Sequence, residues 1–233
     1  MWLASQVVEE VPTHHRGGPS TAWRIVAGAE VALAAAVILL DLFLPTIVLL
    51  VLVGASLLYH RAGPASLGFR AIPRPARMAA QVLALVILWT MLQVGLVMPV
   101  LEHLTGQRQD MSPFDGLEGN LPMLVALLAL SWTLAALGEE TVYRGFLLTR
   151  AREVMGTGRA ALLLAVGVSS LLFGLAHTEQ GLVGVALTAL DAVFFSVLRL
   201  HYGTLWAAVL AHGFNNTLGL TAFWIVGPIY GLW

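Results

Sequence analysis

Apolar and polar positions follow one another along this chain in long blocks. Several stretches run about 17 residues or more without a charged side chain, which is the length of helix that crosses a bilayer core. Glycine, proline and charged residues separate these stretches. The pattern therefore predicts an all-α fold, a polytopic transmembrane bundle of seven or eight helices.

The polar breaks divide the chain into seven predicted spans. They cover approximately residues 22–40, 44–59, 76–101, 121–137, 160–176, 182–200 and 203–220. The fourth helix continues through polar residues toward Glu153, and the short apolar tail 221–233 suits a partial eighth helix. Residues 1–20 form a polar lead-in, so we expect a single membrane-embedded domain over residues 21–233.

Composition excludes several classes of protein. Apolar residues make up 58% of the chain and charged residues 11%, which is too little charge to cover the surface of a water-soluble monomer. A net charge of −1 argues against a nucleic-acid partner, because such a partner requires a basic surface. Cysteine is absent, so disulfides and thiolate chemistry are excluded.

The placement of arginine predicts the orientation in the membrane. Loops 60–77 and 150–159 hold most of the loop arginines, whereas loop 102–118 is acidic and contains a single Arg108. Cytoplasmic loops carry an excess of basic residues. We therefore predict a multi-pass protein of the cell membrane with a cytoplasmic N-terminus.

Ionisable side chains inside the spans require an explanation, because each costs about 2.5–3.5 kcal/mol on insertion scales. Glu30 and Asp41 lie near the ends of their spans, where contact with interfacial water is a sufficient explanation. Asp191 lies in the middle of a span. Either a bond to a neighbouring helix or a role in a functional site would account for it.

Two adjacent glutamates and an arginine share the fourth helix. Glu140 and Arg144 are four residues apart, the spacing of an intrahelical ion pair, whereas Glu139 points about 100° away around the helix. The arginine therefore neutralises one acid and leaves the other available for proton transfer. A purely structural cluster that joins helices is the alternative.

Two histidines and an amide follow on later helices. His212 and Asn216 are four residues apart and present two donors on one face of the seventh span, which also suits hydrogen bonding between helices. Glu139 and His177 each lie 19 residues from Gly158, so an antiparallel hairpin brings them to one depth, which His212 matches less well. One acid, two histidines and an amide form a hydrolytic set, although a lone histidine at a helix end is also a common interfacial anchor.

Three motifs on these helices resemble those of the CPBP intramembrane proteases. This family includes the type II CAAX prenyl endopeptidases and the bacteriocin-processing and self-immunity (Abi) proteins. The motifs are Glu139-Glu140-x-x-x-Arg144, Phe173-x-x-x-His177 and His212-x-x-x-Asn216, in the family's order. The similarity spans about residues 120–220.

The resemblance implies an endopeptidase with its active site inside the membrane and an activated water as the nucleophile. Glu139 would be the general base, and His177 would help to hold and polarise the water. His212 and Asn216 would donate hydrogen bonds to the tetrahedral oxyanion.

The resemblance also bears on support and cofactors. Glu140 and Arg144 would fix the helix and the base. No cofactor is expected, because a buried glutamate beside a neutralised partner already accounts for a base. In the alternative, Glu139, His177 and His212 bind a catalytic Zn²⁺ with one coordination position open.

The expected partners are the lipid bilayer and a peptide or protein substrate, with or without a lipid group. Two other classes of function stay open at this point. One is an ion- or proton-coupled transporter in which the same acids relay protons, although no internal repeat is present. The other is a membrane immunity or binding protein without catalytic activity.

Overall fold

The computed structural model describes residues 20–42 and 44–230. These residues form seven α-helices and no strand. The helices are α1 (Thr21–Leu39), α2 (Pro45–Tyr59), α3 (Pro75–Thr105), α4 (Leu121–Met155), α5 (Arg159–Leu175), α6 (Gly181–Tyr202) and α7 (Leu205–Val226). The predicted all-α helical bundle is confirmed, whereas the predicted lead-in lies outside the described residues as far as position 19.

Several helices have the length and composition of membrane spans. The segments that contain α1, α3, α4 and α6 are long and apolar enough to cross a membrane, and α2 and α5 are shorter apolar helices. Large apolar side chains also cover the outside of the bundle; Leu58 is 82% exposed and Leu163 is 71% exposed. Such a surface suits lipid rather than water. The chain is therefore an integral membrane protein.

The helices begin at residues that favour a helix start. The Ser20 hydroxyl accepts a hydrogen bond from the Trp23 amide at 3.2 Å, and the Asn120 side chain accepts one from the Met123 amide at the same distance. Both satisfy an amide that the first turn leaves without an intrahelical partner. Helix α2 begins at Pro45. Proline is tolerated there because the backbone N–H that it lacks would have no intrahelical partner in the first turn.

Helix α4 forms the centre of the bundle. Every residue from Val142 to Glu153 is buried. Two π-helical segments, Ser131–Glu139 and Thr141–Leu147, widen the helix on either side of Glu140. Segments of this kind are frequent at functional sites, because the wider turn changes which side chains face a neighbour.

The predicted partial eighth helix is wrong for the described part of the tail. Residues 221–226 continue α7, which ends at Val226 and is followed by Gly227 with φ 72°. The tail is apolar because it packs on the loop before α4: the Trp224 carbonyl accepts a hydrogen bond from the Gly119 amide at 3.0 Å, and the Phe223 and Phe114 rings are 6.0 Å apart.

The expectation for Glu30 is also wrong, because this carboxylate is held by protein groups rather than by interfacial water. Its Oε2 lies 2.5 Å from Arg150 Nε and its Oε1 lies 3.4 Å from His60 Nε2. Arg150 also pairs with Glu153 at 2.9 Å. The cluster joins α1, α2 and α4. Asp41, by contrast, is exposed in the turn after α1, as expected.

The loops alternate between two ends of the bundle. At one end the Gly68 carbonyl accepts a hydrogen bond from the Leu205 amide at 2.8 Å. At the other end the Asp110 amide donates to the Gln180 carbonyl at 2.9 Å. The arginine-rich loop 60–77 and the acidic loop 102–118 therefore lie at opposite ends, as a transmembrane bundle requires.

We expect the end that carries loop 60–77 to face the cytoplasm, because of its arginines. Ala65 and Ser112 are exposed, and the chain has no cysteine of its own. An impermeant thiol reagent applied to intact cells should therefore label the Ser112→Cys protein and should label the Ala65→Cys protein only after permeabilisation. The opposite labelling pattern would invert the orientation.

Candidate active site

A cavity of about 460 Å³ lies between α3, α4, α6 and α7. Its walls are mainly apolar, and a small number of polar groups project into it. Glu139, His177, His212 and Asn216 all line this cavity. The structure thus places at one cavity the four residues that the sequence analysis predicted to be catalytic.

His212 lies between the two adjacent glutamates. Its Nδ1 is 2.8 Å from Glu140 Oε1, and its Nε2 is 3.9 Å from Glu139 Oε2. The Glu140 side chain is fully buried, whereas that of Glu139 is 16% exposed. Glu140 therefore holds the ring of His212, and Glu139 is the carboxylate that is accessible from the cavity.

The predicted ion pair between Glu140 and Arg144 is confirmed. Arg144 Nη1 donates to Glu140 Oε1 at 2.9 Å, and neither side chain is exposed. The guanidinium also lies over the rings of Phe173 at 4.3 Å and Phe195 at 5.4 Å. Burial removes the hydration shell of the guanidinium, and these cation–π contacts compensate for part of that loss.

His177 follows the C-terminus of α5, as predicted. Its Nδ1 lies 2.8 Å from the Phe173 carbonyl oxygen. Because a carbonyl can only accept, the proton of the neutral ring is on Nδ1, and Nε2 is left as an acceptor. The Phe173-x-x-x-His177 motif therefore sets the tautomer of the histidine through a backbone contact one turn away.

Two further groups complete the polar wall around Glu139. Asn216 lies one helical turn after His212 and is half-buried at the cavity. Thr46, near the start of α2, donates a hydrogen bond to Glu139 Oε1 at 3.5 Å. Sequence reasoning missed Thr46, because a lone threonine in an apolar helix carries no signal of its role.

The sequence spacing placed His212 at a different depth from Glu139 and His177. The start of α7 explains why His212 nevertheless reaches the glutamates. Leu205 is fully buried and rests on the Gly68 carbonyl, so α7 begins inside the bundle. Gly213 lets this helix approach α4: a methyl group there would lie 2.5 Å from Trp132 Cζ3.

Asp191 belongs to the same cavity and was left open by the sequence. It accepts hydrogen bonds from Trp89 Nε1 at 2.6 Å, from Gln93 Nε2 at 2.9 Å and from Asn215 Nδ2 at 3.5 Å. The first expected explanation therefore holds, because Asp191 bonds neighbouring helices, and its side chain also lines the cavity.

The zinc alternative requires three converging ligands. Glu139 and His212 approach one another, but no group of three histidine, aspartate or glutamate side chains among residues 20–42 and 44–230 is arranged to hold a metal ion. The set Glu139, His177 and His212 does not assemble as a metal site in this structure, and no step below passes through a metal.

Comparison with protein families places this site in context. The family model described as type II CAAX prenyl endopeptidase Rce1-like matches residues 121–218. Residues 121–218 belong to the Rce1-like family. This match confirms the resemblance to CPBP proteases, and the three motifs all lie inside it. Comparisons with curated proteins and with solved structures found no match.

The Rce1-like family is a protease family, so this match supports an intramembrane peptidase at the level of the family. The family match covers α4, α5, α6 and most of α7, and it includes Glu139, His177, His212 and Asn216. The roles of individual side chains follow from the geometry and are proposed below.

Proposed function

We propose that this Rce1-like protein is an intramembrane endopeptidase in which Glu139 activates a water molecule for attack on a peptide bond. One observation carries the proposal: His212 is bound to Glu140 through Nδ1 and turns Nε2 toward Glu139 at the wall of the cavity. A base, a fixed imidazole and space for a peptide are therefore adjacent.

Glu139 and His177 are suited to hold the attacking water. Both residues offer an acceptor at the cavity. Glu139 offers a carboxylate oxygen, and His177 offers its Nε2, which is unprotonated because Nδ1 donates to the Phe173 carbonyl. A water has two protons to donate, so it can donate one to each. Transfer of one of these protons to Glu139 leaves a hydroxide-like oxygen that attacks the carbonyl carbon.

His212 and Asn216 are suited to stabilise the oxyanion that this attack produces. Because Nδ1 of His212 donates to Glu140, its Nε2 can donate only when the ring carries a second proton. The Glu140 carboxylate stabilises that positive charge. The Asn216 amide supplies a second donor on the same helical face.

Collapse of the tetrahedral intermediate breaks the carbon–nitrogen bond. Glu139 then returns its proton to the leaving amine, so that the base is regenerated and one water is consumed for each bond cleaved. No cofactor takes part in this scheme. The substrate is a peptide or protein in contact with the bilayer, and the cell membrane is the proposed location.

Incubation of the purified protein with a peptide library, followed by mass spectrometry of the products, tests the activity. We expect internal peptide bonds to be cleaved, and we expect exhaustive chelation to leave the rate unchanged. A protein that cleaves no peptide would favour a transporter or an inactive immunity factor. Loss of cleavage on chelation, with recovery on addition of Zn²⁺, would favour the zinc alternative.

Asn216→Ala should lower kcat by about 10²–10³ and change KM little, because an oxyanion donor acts mainly in the transition state. Steady-state kinetics on a cleaved peptide measure both constants. Thr217→Ala is a suitable control, since Thr217 is adjacent on α7 but accepts from Trp132 at 3.1 Å instead of lining the cavity. A loss wholly in KM would make Asn216 a substrate clamp.

A further inference from the structure

Asp191 places a carboxylate in the cavity wall without a basic hydrogen-bonding partner. Its three donors, Trp89, Gln93 and Asn215, are all neutral. Both of its oxygens act as hydrogen-bond acceptors. His212 and Arg144 act on it only through space, and both are bound to Glu140. A carboxylate at this depth normally has a partner, and here a ligand can supply one.

The described lining of the cavity offers a carboxylate no lysine or arginine, and its basic side chains are His177 and His212. Glu139 adds a second acid, and none of the described lining residues is lysine or arginine. The whole sequence contains no lysine. His212 carries positive charge only when doubly protonated, and then Glu140 is its counter-ion. The cavity therefore favours a cation over an anion.

A depression beside the cavity has the same sign. A second depression, of about 420 Å³, shares Gln109, Met111 and Phe223 with the cavity. Its charged lining consists of three acids and one arginine: Asp110, Asp115, Glu118 and Arg108. A predominantly negative surface beside the cavity raises the local concentration of cationic ligands.

We infer that Asp191 determines specificity and receives a lysine or arginine side chain of the peptide substrate. This inference rests on the proposed peptidase function. A carboxylate in the same position would face like charges, so the cavity selects a peptide that places a cation there.

The position of Asp191 limits where this cation lies. Asn215, which bonds Asp191, is three residues from His212 on α7, a rise of about 4.5 Å along the helix. An extended peptide advances about 3.3 Å per residue. The cationic residue of the substrate should therefore lie within about two residues of the cleaved bond.

Peptides that differ at one position test the inference. Starting from an apolar peptide that the protein cleaves, lysine, norleucine or glutamate is placed in turn at each of the two positions on either side of the bond. At one of these positions lysine should raise kcat/KM over norleucine by about 30-fold or more, the lower end for a buried charge pair, and glutamate should lower it. This comparison uses the wild-type protein and requires no variant to fold.

Two variants locate the origin of the preference. In Asp191→Asn the ratio of lysine to norleucine peptide should fall to within about threefold. In Glu179→Gln, which changes an exposed acid near the same end of the bundle, the ratio should stay as in the wild type. An unchanged ratio in Asp191→Asn, or a loss of the ratio in Glu179→Gln, would overturn the assignment.

Binding separates this inference from the proposed function. Anisotropy of labelled lysine and norleucine peptides is measured with the protein in nanodiscs, independently of cleavage. Preferential binding of the lysine peptide without any cleavage would support the inference and refute the peptidase mechanism. Cleavage without any preference for lysine would support the mechanism and refute the inference.

Discussion

Glu139→Gln should abolish nearly all cleavage while the protein stays folded. Glutamine keeps the shape of the side chain but cannot take a proton from water, and a general base contributes about 10²–10⁴ in rate. The contacts of the Glu139 carboxylate are long: the Thr46 hydroxyl lies 3.5 Å away and His212 Nε2 lies 3.9 Å away. Removing its charge therefore leaves no buried cation without a partner, and we expect the melting temperature to change little.

The measurement combines the cleavage rate of the purified protein with its thermal unfolding in detergent. Glu179→Gln is the matched control, because Glu179 is an exposed carboxylate two residues after His177. It should cleave at the wild-type rate. Substantial activity in Glu139→Gln, together with an inactive and fully stable Glu140→Gln protein, would show that the base is the other glutamate.

Glu140→Gln should lower both activity and stability. One oxygen of Glu140 accepts from Arg144 at 2.9 Å and from His212 at 2.8 Å. The change leaves a fully buried arginine without its carboxylate, and breaking a buried pair in this way costs about 3–5 kcal/mol. It also removes the carboxylate that His212 Nδ1 contacts at 2.8 Å. We expect a lower melting temperature and a lower kcat for the molecules that remain folded.

A double change separates the two effects. In Glu140→Gln with Arg144→Gln the buried arginine is removed together with its carboxylate, so part of the stability should return while activity stays low. Glu153→Gln is the control for stability alone. It breaks a buried ion pair between Glu153 and Arg150, whose atoms are 2.9 Å apart, and neither residue lines the cavity. Its melting temperature should fall, and its kcat should stay at the wild-type value. Recovery of full activity in the double variant would assign Glu140 a structural role only.

These contacts extend the role that the sequence suggested for Glu140. The i,i+4 spacing predicted a support for Arg144, and that pair is present. The contact with His212 joins residues 72 positions apart, and no local pattern indicates it. Glu140 thus links the structural arginine of α4 to the proposed oxyanion donor of α7.

The amino-acid sequence by itself determined the helices and the local pairs. A membrane excludes unpaired backbone and isolated charge, so blocks of apolar residues mark helices closely. The predicted fourth span begins at residue 121, as α4 does. Contacts within one or two turns, such as Glu140 with Arg144, follow from helical geometry alone.

Only the tertiary structure decided which distant side chains meet. The buried start of α7 at Leu205 sets the depth of His212. The Asp191 carboxylate finds Trp89 and Gln93 about a hundred residues earlier, and Glu30 finds Arg150 across the bundle. The physical reason is that apolar periodicity marks which stretches are helices, whereas the contacts between helices depend on close packing and on loop geometry that hydropathy does not encode.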